Sequence, residues 1–230
     1  MAIQKTDAII LKRQEVRETS LMLTAFSRQL GKFQGLVKGV RGARAAVPWY
    51  LEPLTLQAVV LYERRRSPWV LVSACDLIDG FTAIRHDLAR TAYATYMLDL
   101  VDSMTGVHDP HPEIYEALLA VLKGLESPDA DPATLVRFLE IHLLRASGLL
   151  PKVEALMLSP AAKASFRRLL DTPFAHAATL KLDPETEPAL RRLLQGLVRR
   201  ALERELRSRS FLHAIGLEQG GVPNETIRVA

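Results

Sequence analysis

Near residue 81 the apolar residues of this chain change their spacing from every second position to every third or fourth. No other feature limits the fold as strongly. Before the change come five short apolar runs, at 6–12, 20–27, 31–38, 54–62 and 69–74, parted by turn residues. No gap among them has room for a crossover helix. Five such strands predict a small closed barrel. The five-stranded OB barrel is the commonest solution, with an SH3-like barrel or a small open sheet as the alternatives. After the change the pattern is helical. Tyr93, Tyr96, Met97, Leu100 and Met104 share one face of a helix over roughly 85–105. Pro112 opens a second helix, with Ile114, Leu118, Val121 and Leu125 as its stripe. Asp131-Pro132 caps a third, whose core face is Leu135, Phe138, Leu139 and Leu143. Ser159-Pro160 repeats that start, 172–183 reads as irregular, and a long helix is predicted over 188–207. The fold class is therefore α+β: an N-terminal OB-like barrel over 1–80, an all-α bundle over 81–218 and a tail over 219–230.

Charge is segregated along the chain. Residues 1–80 hold 12 basic and 7 acidic residues, a net of +5; 81–150 hold 5 and 10, a net of −5; 151–230 hold 13 and 9, a net of +4. Two basic ends around an acidic middle point to a polyanion partner. The sharpest segment is 31–44. Lys32, Gln34, Leu36 and Lys38 share one strand face, and Arg41 and Arg44 carry the charge into a glycine-spaced loop. No Asp or Glu lies between Glu18 and Glu52. A solvated basic strand face explains this as well as a phosphate-contact surface does. Arg64, Arg65 and Arg66 sit at a hairpin tip beside Trp69, and Trp49-Tyr50 follows Arg44. Cations with interleaved aromatics suit single-strand binding, although the alternating neighbours of Trp69 place it in the core. Arg191-Arg192 and Arg199-Arg200 flank a leucine stripe and read first as a solvated helix face.

Catalytic patterns are missing. His108-Asp109-Pro110-His111 lacks further converging ligands and reads as a capped loop rather than a metal site. His142 reads as a structural core histidine. The carboxylates of 99–116 fall on helix ends and exposed faces. There is no GxSxG, GxxxxGK[ST] or GxGxxG pattern. Cys75 is the single cysteine, so neither an internal disulfide nor a thiolate cluster is available. The expectation is a protein without enzymatic activity or cofactor. Without an apolar run of membrane length or a leader-like start, it is expected in the cytoplasm, away from membranes.

The order of parts, basic barrel, bundle, then a second basic segment over 151–215, resembles the bacterial RecO family of recombination mediators. The resemblance spans about 3–215. It rests on Ala8-Ile9-Ile10-Leu11-Lys12 with Glu18 to Thr24, on Gly31-Lys32 with Val37 to Arg41, and on Leu51-Glu52-Pro53-Leu54. Arg137-Phe138-Leu139 through Leu149-Leu150-Pro151, and Glu205 to Leu212, complete it. Many members carry a four-cysteine zinc module between that Pro and a Leu-Ser-Pro start. Here only 152–157 separate Pro151 from Leu158-Ser159-Pro160, so no zinc is expected. The resemblance implies binding of single- and double-stranded DNA and annealing of complementary strands. It also implies cooperation with RecR in loading RecA onto DNA coated by single-strand-binding protein, in the cytoplasm at the nucleoid. Lys32, Lys38, Arg41 and Arg44 are then the phosphate contacts, with Arg13, Arg64, Arg65 and Arg66 secondary. Arg137 and Arg145 are candidates for the acidic, apolar tail of single-strand-binding protein. The rival reading is a protein–protein adaptor that uses the barrel and the acidic bundle as docking surfaces.

Overall fold

The computed structural model describes residues 3–16, 19–38, 51–62, 67–204 and 206–217. Five strands close a barrel in the order β1-β2-β3-β5-β4: β1 Ile3–Val16, β2 Ser20–Ser27, β3 Gly31–Val37, β4 Leu56–Tyr62 and β5 Val70–Asp79. All neighbours are antiparallel except β3 and β5, whose parallel pairing from Gly35↔Val70 to Val37↔Val72 closes the barrel. This is the OB-type solution among the three alternatives. β1 is longer than predicted. Arg13 to Val16 continue it against β2, and a register shift lies between Ile10 and Lys12. Ala8 and Ile10 point into the barrel core, whereas Ile9 and Leu11 point the other way, into the core shared with the helices. Burial on both faces explains the unbroken apolar run at 8–11.

Among the described residues seven α-helices follow: α1 Thr82–Arg85, α2 Leu88–Met104, α3 Pro112–Glu126, α4 Pro132–Ala146, α5 Pro160–Asp171, α6 Glu187–Leu202 and α7 Arg207–Ala214. Asp87, Asp131 and Ser159 cap α2, α4 and α5 by accepting main-chain N–H groups. The single long helix predicted over 188–207 is two. Glu203 ends α6 in the left-handed region at φ 53°, and Leu206 turns back into the core at 3% exposure. The irregular segment contains a 3₁₀ turn at Phe174–Thr179.

α4 is the axis of the bundle, with every residue from Thr134 to Leu144 buried. Its polar members therefore need partners inside the protein. Arg137 Nη1 donates to Glu140 Oε2 at 2.9 Å, and the Tyr96 hydroxyl donates to Glu140 Oε1 at 2.7 Å. His142 packs between Phe138 and Phe174, with ring centroids 4.3 and 5.0 Å away. Burial, with the Arg145 charge second, lowers its pKa from 6.5 to about 4. The imidazole is thus held neutral in the fold while the unfolded chain takes up a proton below pH 6.5. The contribution is complete above pH 6.5 and lost as the pH falls towards 4, by about 3 kcal/mol in all. Urea unfolding of the parent and of His142→Phe across pH 4–7 checks this. The parent's stability is expected to slope upward between pH 4 and 6.5, with that slope much reduced in the variant.

Candidate nucleic-acid interface

The barrel is fixed to the bundle by a charge cluster on α2. Asp99 and Asp102 stand three residues apart, so both carboxylates share one helix face. Lys12 of β1 reaches both, with Nζ 3.2 Å from Asp99 Oδ1 and 2.6 Å from Asp102 Oδ2. Lys32, at the start of β3, donates to the main-chain carbonyl of Asp102 and lies 3.3 Å from its Oδ1. The Ser208 hydroxyl of α7 donates to Asp99 Oδ2 at 2.7 Å. Burial alone would push the Asp102 carboxyl up. Hydrogen bonds and charge from Lys12 and Lys32 outweigh it and hold Asp102 below its ordinary range. For Lys12, burial opposes the charged form, but Asp102 and then Asp99 raise its pKa on balance.

The loop after α2 adds main-chain contacts. His108 N–H donates to Lys32 O at 2.8 Å. Gly31 has φ +65°, and a Cβ on it would stand 2.2 Å from the Asp109 carbonyl oxygen, so only glycine fits. Arg28 pairs with Glu116 of α3 at 3.1 Å. His111 of the same loop lies 3.2 Å from Asp109 Oδ2 and 3.3 Å from Glu113 Oε1. No group of three metal-ligating side chains occurs among the described residues.

These contacts revise the phosphate-contact set. Lys32 lies on the expected strand face, but α2 covers that end of β3, and its side chain is only 11% exposed. It joins the barrel to the bundle and does not face solvent. Asp99 and Asp102 likewise form the junction instead of lying on an exposed face. Arg13 is half-buried and paired with Glu52. Lys38 is exposed just past the end of β3, with no ion pair among the described residues. Arg41, Arg44, Arg64, Arg65 and Arg66, with Trp49, lie outside the described residues.

Gln34, Leu36 and Lys38 point outward at the free end of β3. A groove of about 370 Å³ crosses the outer faces of β1, β2 and β3, walled by Lys12, Arg13, Met22, Thr24 and Gln34. Trp69 is 37% exposed rather than in the core. Val70 and Val72 take the inward positions of β5, so the residue before Val70 falls outside. One row further, cross-strand neighbours Met22, Leu36, Leu71, Tyr62 and Ile3 form an outward apolar belt. Ile3, at its end, is 59% exposed. Cys75 is half-buried in β5, and burial, with Asp76 second, pushes its thiol up to about 11, leaving it a poor nucleophile.

In the bundle, Arg137 is fully buried with its guanidinium on Glu140, so it cannot meet a partner's tail. Arg145, in the last turn of α4, is exposed. A groove of about 760 Å³ opens where β1, α2 and α7 meet, with Leu54, Leu98 and Phe211 on its apolar side and Arg85, Arg204 and Arg207 around it. Sequence reasoning missed it because its walls come from segments far apart in the chain. Among the described residues no helix is long and apolar enough to cross a membrane.

A closed five-stranded barrel joined through a charged seam to a helical bundle defines a protein of the OB-like barrel fold class. The chain matches the family descriptions Recombination protein O N terminal over residues 1–81 and Recombination protein O C terminal over 85–155. DNA repair protein RecO of Anaeromyxobacter sp. (strain K) is 28% identical over 246 aligned positions, covering 92% of this chain and 96% of its own. The protein of the same name from Myxococcus xanthus (strain DK1622) is 28% identical over 240, covering 92% and 98%. That of Syntrophus aciditrophicus (strain SB) is 30% identical over 160, covering 70% and 61%. This chain belongs to the RecO family of DNA repair and recombination proteins.

The two lysines of one strand face should separate by experiment. Lys32→Ala leaves the Asp102 carboxylate partly buried with one cation fewer, and should cost about 2 kcal/mol of stability. Lys38→Ala should change stability by less than about 0.5 kcal/mol. Chemical denaturation of both variants checks the contrast.

Proposed function

We propose that this protein is a non-enzymatic recombination mediator acting in the cytoplasm at the nucleoid. It binds single- and double-stranded DNA and anneals complementary strands. With RecR it helps load RecA onto DNA coated by single-strand-binding protein. The observation that carries this reading is the outer face of β3: Gln34, Leu36 and Lys38 in one row, an exposed Trp69 beside it, and a groove running on across β2 and β1. Ammonium groups neutralise phosphates and release counterions, and an indole face stacks on an unpaired base. In the sequence, Arg41 and Arg44 follow Lys38, and Arg64 to Arg66 precede Trp69. Two strands screened by such a surface approach closely enough to pair, with neither hydrolysis nor a cofactor.

For the acidic, apolar tail of single-strand-binding protein, the groove between β1, α2 and α7 is the better candidate than Arg137. The exposed Arg207 guanidinium can meet a carboxylate while Leu54, Leu98 and Phe211 take apolar side chains. A second reading, a protein-docking barrel, is favoured by the Met22-Leu36-Leu71-Tyr62-Ile3 belt, and RecR is the partner we assign to that belt. Both uses fit one barrel, because the belt shares only Leu36 with the Lys38 row and Met22 with the groove, and otherwise diverges from them.

Binding of a labelled single strand across a salt series tests the proposal. With roughly four phosphate contacts the slope of log affinity on log salt is expected near about −3. Charge reversal at Lys38 and Arg41 together should lower affinity at every sequence and leave the unfolding midpoint unchanged. Unaltered binding by that double variant would remove the barrel face from the account. Negligible binding by the parent at moderate salt would favour the docking barrel instead.

A further inference from the structure

The strongest run of charge in the chain lies outside the barrel. Residues 191–209 contain seven arginines and two glutamates. Several have structural partners: Arg191 with Glu187 at 3.8 Å, Arg204 with the Ser103 hydroxyl at 2.9 Å, and Arg209 with Gln195 at 2.6 Å. Arg192, Arg199 and Arg200 differ. All three are exposed, and none has a hydrogen bond or ion pair among the described residues.

Helical geometry puts the three together. Arg192 and Arg199 are about 20° apart around the helix, with Gly196 between them along the axis, and Arg200 is about 80° from Arg192 and about 100° from Arg199. Leu190, Leu194 and Val198 are buried on the opposite face. Gly196 is the unexpected member, since a glycine inside a helix weakens it. A Cβ there would meet nothing within 4 Å, so no neighbour requires the glycine. What it provides is a low point on the helix surface between arginines. Cations in the last turn are also favoured by the helix dipole, which accounts for Arg199 and Arg200. It does not account for Arg192, two turns earlier.

We propose that the outer face of α6, centred on Arg192, Gly196, Arg199 and Arg200, is a second nucleic-acid contact surface. The occupant is a phosphodiester backbone. Guanidinium groups grip phosphate oxygens in pairs, and the glycine lets the backbone come against the helix between them. The inference rests on the mediator reading above and adds a place for the second strand. The barrel meets the bundle through α2 and α3, whereas α6 packs mainly on α4 and α5, with a smaller contact to α2. The two basic surfaces therefore lie on different elements, β3 of the barrel and α6 of the bundle. One strand on each gives annealing a physical basis, with the protein bringing two polyanions together and screening both.

The test uses the full chain, with R192E/R199E/R200E and the milder R192Q/R199Q/R200Q beside the parent. Three quantities are read: affinity for one labelled strand of about 30 bases, energy transfer between two non-complementary strands held by one protein, and the annealing rate of complementary strands. Unfolding midpoints establish that each variant folds. Single-strand affinity is expected to stay within about 3-fold of the parent, because the barrel carries it. Transfer between the two strands should disappear, and annealing should slow by about 10-fold or more, less so with glutamine. Annealing at the parental rate in both variants would overturn the α6 surface and leave the mediator reading standing. An equal loss of single-strand affinity and annealing would also overturn it, since α6 would then belong to the barrel's own track. A parent that neither binds nor anneals would remove the mediator reading, and this inference with it.

Discussion

The carboxylate of Asp102 is the constraint on which the rest of this structure depends. It holds two ammonium groups from different strands, Lys12 of β1 and Lys32 of β3, at the end of a helix that belongs to the bundle. Hydrophobic burial brings barrel and bundle together, since Ile9, Leu11, Phe26, Leu54 and Leu56 all join the helical core. Burial is not directional, however, and apolar contact alone leaves the docking angle loosely defined. The lysine–aspartate seam, the main-chain contact from His108 to Lys32 and the glycine-only approach at Gly31 define it. Charged groups so placed serve position more than stability, because each has given up part of its hydration.

The seam divides β3 into two functional halves. Its first residues are covered by the loop and helix that follow from the bundle. Its last residues pair with β2 and β5, and their side chains alternate between the barrel core and the outer face. Phe33 and Val37 fill the barrel while Gln34, Leu36 and Lys38 stay outside. The exposed part of the strand lies beside the groove over β1 and β2 and beside Trp69. The end of β3 away from α2 carries Lys38, which no acid among the described residues engages. The acidic excess of 81–150 is partly consumed in the same way, Asp99, Asp102 and Glu116 answering cations of the barrel and Glu140 answering Arg137.

Much of the architecture was legible in the sequence because periodicity reports which face is buried. The five strands, the change of period near residue 81, and the Asp131-Pro132 and Ser159-Pro160 helix starts all rest on local patterns that the fold keeps. What failed depends on facts that are not local. Parity correctly put Lys32 and Lys38 on one strand face, but parity cannot say that a helix seventy residues later covers half of it. Trp69 looked buried because its neighbours alternate, and the phase of that alternation was set by Val70 and Val72 instead. Arg137 looked available because arginines are mostly exposed, whereas α4 is surrounded on every side. The break at Glu203 left no mark in the leucine pattern, since Leu206 and Leu212 keep apolar residues coming while the chain changes direction. Asp99 and Asp102 did carry a signal, two acids three apart on one helix face in a chain whose barrel is basic, but it became specific only once their partners were in place.

A double-mutant cycle between Lys32 and Asp102 tests most directly whether this seam fixes the barrel on the bundle. Unfolding free energies of the parent, Lys32→Met, Asp102→Asn and the double variant suffice. A coupling of about 2 kcal/mol is expected, with Asp102→Asn after Lys32→Met still costing the Lys12 pair. Additivity within about 0.3 kcal/mol would contradict the account.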